Sequence, residues 1–214
     1  ISWNSSIKEL HKSENIGNYK SNFYQRLAYD EIFSTFLVNS EIRKKIKKIK
    51  KKNKIINANK QNLLIQNLDF SLTNDQKNSL EDINKDLSSS NKMFRLLQGD
   101  VGSGKTIVSL LAALNTINSG FQVAFMAPTE ILARQHYNLA KNIFPKNINL
   151  GLISGKSEYR IKKEILKNLE NNKINIIFGT HAIFQKKVIF KKLGLIIIDE
   201  QHKFGVNQRK RLSD

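Results

Sequence analysis

Four residues, Gly99, Gly104, Lys105 and Thr106, stand at the spacing G-x-x-x-x-G-K-[ST], a pattern whose chemistry explains each fixed position. The loop they bound, Gly99, Asp100, Val101, Gly102, Ser103, Gly104, Lys105 and Thr106, is rich enough in glycine to turn successive backbone N–H groups inward. Such a nest holds phosphate oxygens, and a helix starting at Lys105 adds its positive N-terminal end. The Lys105 ammonium suits the β- and γ-phosphates, and the Thr106 hydroxyl suits magnesium. The alternative is a glycine-rich turn ahead of an ordinary buried helix. Coincidence of all four positions is expected in below about one chain in a hundred of this length, so a nucleoside-triphosphate site is expected, with ATP and Mg2+ as its occupants.

A second chemical pair follows the apolar run 195–198, where Asp199 and Glu200 are delivered to the tip of a buried strand. Asp199 is suited to hold the magnesium opposite Thr106, directly or through water. Glu200 is suited to orient and deprotonate an attacking water beside the γ-phosphate, which points to an ATP hydrolase rather than a small-molecule kinase. As a bare dipeptide the pair could equally begin a helix; its place downstream of a phosphate loop carries the catalytic reading. Gln76 also has two readings. With Thr73 it makes a capping box, and its amide could donate to and accept from the edge of an adenine.

Positioning these groups requires alternating elements. A strand is expected over 93–97, then the loop and an apolar helix ended by Gly120. Further strands are expected at 122–127, 150–154, 174–178 and 195–198, with helices over 131–142 and 158–170 between them. Alternation of this kind implies a parallel sheet covered on both faces. Ligands then gather at the carboxyl ends of the strands, where the polar clusters fall. Ahead of this lobe, residues 1–68 read as a helical segment, with an apolar helical face over 23–39 and a loop or weak connector over 53–67. The domain boundary is therefore expected between 1–68 and 69–214.

The chain has 214 residues, 36 Lys and Arg against 18 Asp and Glu, a formal charge of +18, and no cysteine. That excess favours polyanionic partners, although Lys, Asn and Ile are all abundant and AT-rich codons favour the three together. Nine of the twelve residues 43–54 are Lys or Arg, readable as a solvated helix face or as a contact to DNA backbone. Absence of cysteine excludes disulfide frameworks and thiolate metal sites. No apolar run spans a bilayer; the longest, 107–114, is interrupted by Ser109. A reducing, intracellular setting is compatible with this composition.

These motifs together resemble superfamily 2 helicases. Asp199, Glu200, Gln201 and His202 resemble a DEQH form of their acidic motif, Pro128–Thr129–Glu130 and Gly179–Thr180–His181 resemble DNA-contacting motifs, and Gln76 with Leu72 and Thr73 resembles the adenine-reading motif. Residues 98–106, 126–130, 179–185 and 199–206 together are similar to the RecG family, as is 26–31 to the helical segment ahead of the RecG motor. The transcription-repair coupling factor is a more distant resemblance. A P-loop ATPase unconnected with nucleic acid remains the alternative from another class.

The resemblance implies a RecA-like P-loop lobe within an ATP-driven translocase on forked or branched duplex DNA, in bacterial cytoplasm. It implies DNA backbone contacts from Pro128, Thr129, Gly179, Thr180 and His181, and from Ser154, Gly155 and Lys156. It assigns Gln201 and His202 to coupling nucleotide state with lobe closure. Glu130 could instead cap its helix, and Arg134 could be a solvated helix residue. The chain begins at Ile1 and stops soon after the acidic motif, so a fragment is expected, without the second lobe, its arginine finger or the wedge domain.

Overall fold

The computed structural model describes residues 1–12, 19–66, 68–155, 159–185 and 187–200, side chains at 43 and 46–48 excepted. The chain divides into two compact units, Ile1–Lys51 with Asn91–Phe94, and Lys52–Ser90 with the chain from Arg95 onward. In the first, α1 (Trp3–Leu10) packs on α2 (Asn22–Lys48). Ser2 caps α1 by accepting from the Ser5 N–H at 3.1 Å. Helix α2 continues well past residue 39 through the basic tract, whose Lys, Arg and Glu are good helix formers. Its expected apolar face stays open, with Ile32 71% and Phe36 67% exposed. Lys50 and Asn91 close an antiparallel bridge.

The second unit carries the alternating pattern. It contains α3 (Ala58–Gln66), α4 (Asn74–Ser88), α5 (Lys105–Asn118), β1 (Gln122–Met126), α6 (Glu130–Ile143), β2 (Leu150–Ile153), α7 (Tyr159–Glu170), β3 (Ile176–Gly179), a 3-10 helix His181–Phe184, and β4 (Leu193–Ile198). Among the described residues the sheet has four strands, all parallel, in the order β2-β3-β1-β4. Every residue of β1 and β3 is buried, as expected where helices cover both faces. On one face Phe125 packs on Phe178 with His136 and Tyr137 of α6 against them. On the other, Ala124, Met126 and Ile177 join Leu169 of α7. Helix α5 packs on β1 and β4, and takes α4 and α3 against it.

Three expectations are corrected. Residues 93–97 form no strand: Phe94 and Leu96 are 57% and 66% exposed, and β4 has β1 as its one partner among the described strands. The reason lies at the centre of the run, where Arg95 Nε donates to Asp86 Oδ2 at 2.7 Å and Nη1 lies 3.5 Å from Asp82 Oδ2, both on α4. Residues 53–67 hold the helix α3, because Leu64 is buried and Gln61 Oε1 accepts from the amides of Asn84 at 2.9 Å and Asn115 at 2.6 Å. Lys54, in the basic run, is no solvated residue; it is 5% exposed, with Nζ 5.0 Å from the centre of the Phe121 ring.

Candidate nucleotide and strand-end site

Register brings the candidate groups together. Met126 of β1 lies level with Gly179 of β3 and Ile198 of β4, and Gly179 lies level with Ile153 of β2. The chain leaves all four strands at one edge, so the turns at 154–155, 180–181, 128–130 and 199–200 emerge side by side in that order. Adjacent strands are about 4.8 Å apart.

The phosphate loop leads into α5 at this edge. Gly102 and Gly104 have φ of +83° and +79°, the left-handed region that glycine enters without Cβ strain. Gly104 is also the N-cap of α5 and supplies no side-chain acceptor, so no capping side chain competes there for an incoming anion. The Lys105 ammonium curls into the loop, donating to Gly99 O at 2.8 Å and Asp100 O at 2.7 Å. Thr106 follows in the first turn of α5.

Gln76 does more than complete a cap. Its Oε1 accepts from Thr73 N at 2.9 Å while its own N–H donates to Thr73 Oγ1 at 3.3 Å, which is the capping box. The remaining amide Nε2 donates to Ser103 O at 2.8 Å, tying α4 to the phosphate loop. A Cβ at Gly104 would crowd that nitrogen, so a side chain there would have to displace the Gln76 amide besides adopting a positive φ.

Asp199 is anchored twice. Its Oδ2 lies 2.7 Å from His136 Nε2, and Oδ1 accepts from Glu200 N at 3.0 Å. Its carboxyl is held below the usual carboxylate range, mainly by the His136 hydrogen bond against the opposing cost of burial, with the His136 charge, the Glu200 amide and the Lys105 ammonium adding to the effect. Lys105 is therefore near enough for its charge to act on the Asp199 carboxyl. Glu200 has φ of +51°, which costs a non-glycine residue about 1–2 kcal/mol and is typical of functional turns. Thr106 and Asp199 offer hard oxygen ligands. Magnesium at nucleotide sites uses one or two carboxylates plus phosphate oxygens. The described residues contain no cluster of three or more His, Cys, Asp or Glu that could hold a metal ion.

A model of the DEAD/DEAH box helicase family matches residues 73–214. The chain belongs to the DEAD/DEAH box helicase family. Within the helicases, it is 47% identical over 189 residues to the ATP-dependent DNA helicase RecG of Thermotoga maritima, covering 88% of this chain and 24% of that protein. It is 43% identical to the RecG of Borreliella burgdorferi over all of this chain and 31% of that protein. A structure of RecG bound to a three-way DNA junction superposes with a TM-score of 0.76 at 45% identity, covering 85% of this chain and 25% of that one. The UvsW helicase of bacteriophage T4, at 16% identity and a TM-score of 0.54, shares the fold. The second unit is thus a RecA-like helicase lobe, preceded by helical sequence. The chain spans roughly a quarter to a third of the length of these RecG relatives.

The strand-end turns of this helicase lobe differ in what they expose. Thr129 is exposed, but its hydroxyl accepts from Leu132 N at 3.3 Å and caps α6. Pro128 and Thr180 are half-buried, while Gly155 and His181 are exposed. Ser154 is buried, so its side chain offers no surface. Gly179 is packed so closely that a Cβ would lie 2.6 Å from Ile183 Cγ2. Glu130 does not cap its own helix; Oε1 accepts from Gly155 N across the sheet edge, joining two of these turns. Lys156, Gln201 and His202 lie outside the described residues. Sequence reasoning missed His136: a single histidine on an amphipathic helix carries no spacing signal, and only its contact with Asp199 distinguishes it.

Proposed function

We propose that this chain supplies the ATP-binding lobe of an ATP-driven double-stranded DNA translocase that acts on forked and branched junctions in recombination and repair. The observation that carries the reading is the phosphate loop's Lys105 lying within electrostatic reach of Asp199, at the edge that also presents 128–130 and 180–181. Gly99, Asp100, Val101, Gly102, Ser103 and Gly104 enclose the phosphates, and Lys105 exchanges two backbone carbonyls for β- and γ-phosphate oxygens. Thr106 and Asp199 hold magnesium, which supplies charge neutralisation on the triphosphate. Glu200 orients and deprotonates the attacking water. Gln76 carries contact with the adenine to the loop through Ser103.

The DNA side rests on three neighbouring turns, 154–155, 179–181 and 128–129, with Lys156 next in sequence after the first. They span about 10 Å, or about three nucleotide steps of one strand, a scale suited to backbone positioning rather than base reading. Gln201 and His202 pass nucleotide state to a second RecA-like lobe, and a wedge domain splits the strands; both belong to the whole protein, in the bacterial cytoplasm. Similarity to RecG over most of the chain supports this assignment. The test is ATP turnover by the full-length protein with and without forked DNA. Stimulation by the fork is expected, and equal turnover with and without DNA would sink the reading in favour of a P-loop ATPase acting elsewhere.

A further inference from the structure

His136 of α6 is unused by the chemistry above, yet it makes the shortest side-chain contact to Asp199, 2.7 Å from Nε2 to Oδ2. Its surroundings leave it little freedom. It is 7% exposed, and its ring lies 4.9 Å from that of Phe125, which itself stacks on Phe178 at 5.3 Å. A histidine in that place fixes one carboxylate oxygen while the Glu200 N–H, at 3.0 Å, fixes the other. A carboxylate has about four lone-pair sites, so both anchors can persist while others remain for a metal or its water.

We propose that His136 is the positioning residue for Asp199, locking the carboxylate rotamer that the metal-bound nucleotide requires and tying it to the helix that starts at Thr129 and Glu130. The inference rests on the proposed ATP site. Partners that orient metal ligands commonly change metal affinity by about 10- to 100-fold when removed. A merely structural role would be different: the ring would be there to fill space beside Phe125, and any side chain of similar shape would serve.

The two roles separate in paired variants of the full-length protein. His136→Gln keeps an N–H donor at comparable reach and loses the ring; His136→Phe keeps the ring and loses the donor. The readout is the affinity for Mn2+ together with a non-hydrolysable ATP analogue, followed by the manganese resonance signal, with thermal melting as the check on folding. The expected result is binding weakened about tenfold or more in His136→Phe and within about threefold of wild type in His136→Gln. Wild-type affinity in His136→Phe, or equal losses in both variants, would overturn the proposal. Should His136→Phe melt early, His136→Leu, which is smaller than the ring it replaces, carries the same comparison. If wild-type protein itself binds no Mn2+ with nucleotide, the ATP-site reading fails; normal wild-type binding with an unaffected His136→Phe removes the positioning role alone.

Discussion

At the scale of single residues, two charges divide the work that the nucleotide site is proposed to do. Lys105 spends its ammonium on Gly99 O and Asp100 O, so the group that would meet phosphate already sits within the loop. Lys105→Ala in the full-length protein is expected to abolish measurable turnover and to weaken binding of a fluorescent ATP analogue at least about tenfold, since no other loop side chain carries a positive charge. Glu200 differs because its proposed role is proton transfer. Glu200→Gln is expected to bind the same analogue as wild type while turnover falls about 10²- to 10⁴-fold, the usual worth of a general base. Loss of binding in Glu200→Gln would show that the carboxylate holds the nucleotide instead.

Elements impose a different kind of constraint, because glycine and amide groups join one helix to the next. Gly104 lies where α4, α5 and the phosphate loop meet: φ is +79°, and Gln76 Nε2 occupies the place of a Cβ. Gly104→Ala therefore combines left-handed strain of about 1–2 kcal/mol with displacement of Gln76. A lower denaturation midpoint and weakened nucleotide binding are expected together; a loss of binding at unchanged stability would contradict this account. Helix α3 is held by amides rather than by a broad apolar face. Asn115, fully buried on α5, donates to Gln61 Oε1 at 2.6 Å and Asn84 Oδ1 at 2.8 Å. Asn115→Ala takes the Asn115 donor from Asn84 Oδ1 and one of two donors from Gln61 Oε1, which keeps the Asn84 amide, and is expected to cost about 1–3 kcal/mol, read from urea denaturation.

Across the whole molecule, charge and sheet order act together. A formal charge of +18 raises the local concentration of polyanions without reading sequence, whereas the level ends of four parallel strands gather the polar turns at one edge. Affinity of the full-length protein for forked DNA is expected to fall steeply with salt. If six to ten phosphates are neutralised, the loss between 50 and 200 mM is about 10³- to 10⁵-fold. A nearly flat dependence on salt would show that the basic surface takes no part in holding DNA. No helix among the described residues is long and apolar enough to cross a membrane.

Sequence by itself determined the phosphate loop, the capping box at Thr73 and Gln76, and the order of helices and strands from α5 onward. Each depends on neighbours within a few positions: glycine where φ must be positive, a hydroxyl three residues from an amide, apolar runs separated by turns. The exposed course of 93–97 was not legible that way. Its apolar residues match a buried strand, whereas the structure pairs Arg95 at its centre with Asp82 and Asp86 of α4. Nor was the docking of α3, which depends on Asn115, far along the chain. Tertiary structure alone decided that His136 would meet Asp199 across 63 positions. That pairing exists because β1 lies beside β4 in the sheet and α6 packs on Phe125, and strand order of this kind is set by packing between distant segments rather than by local sequence.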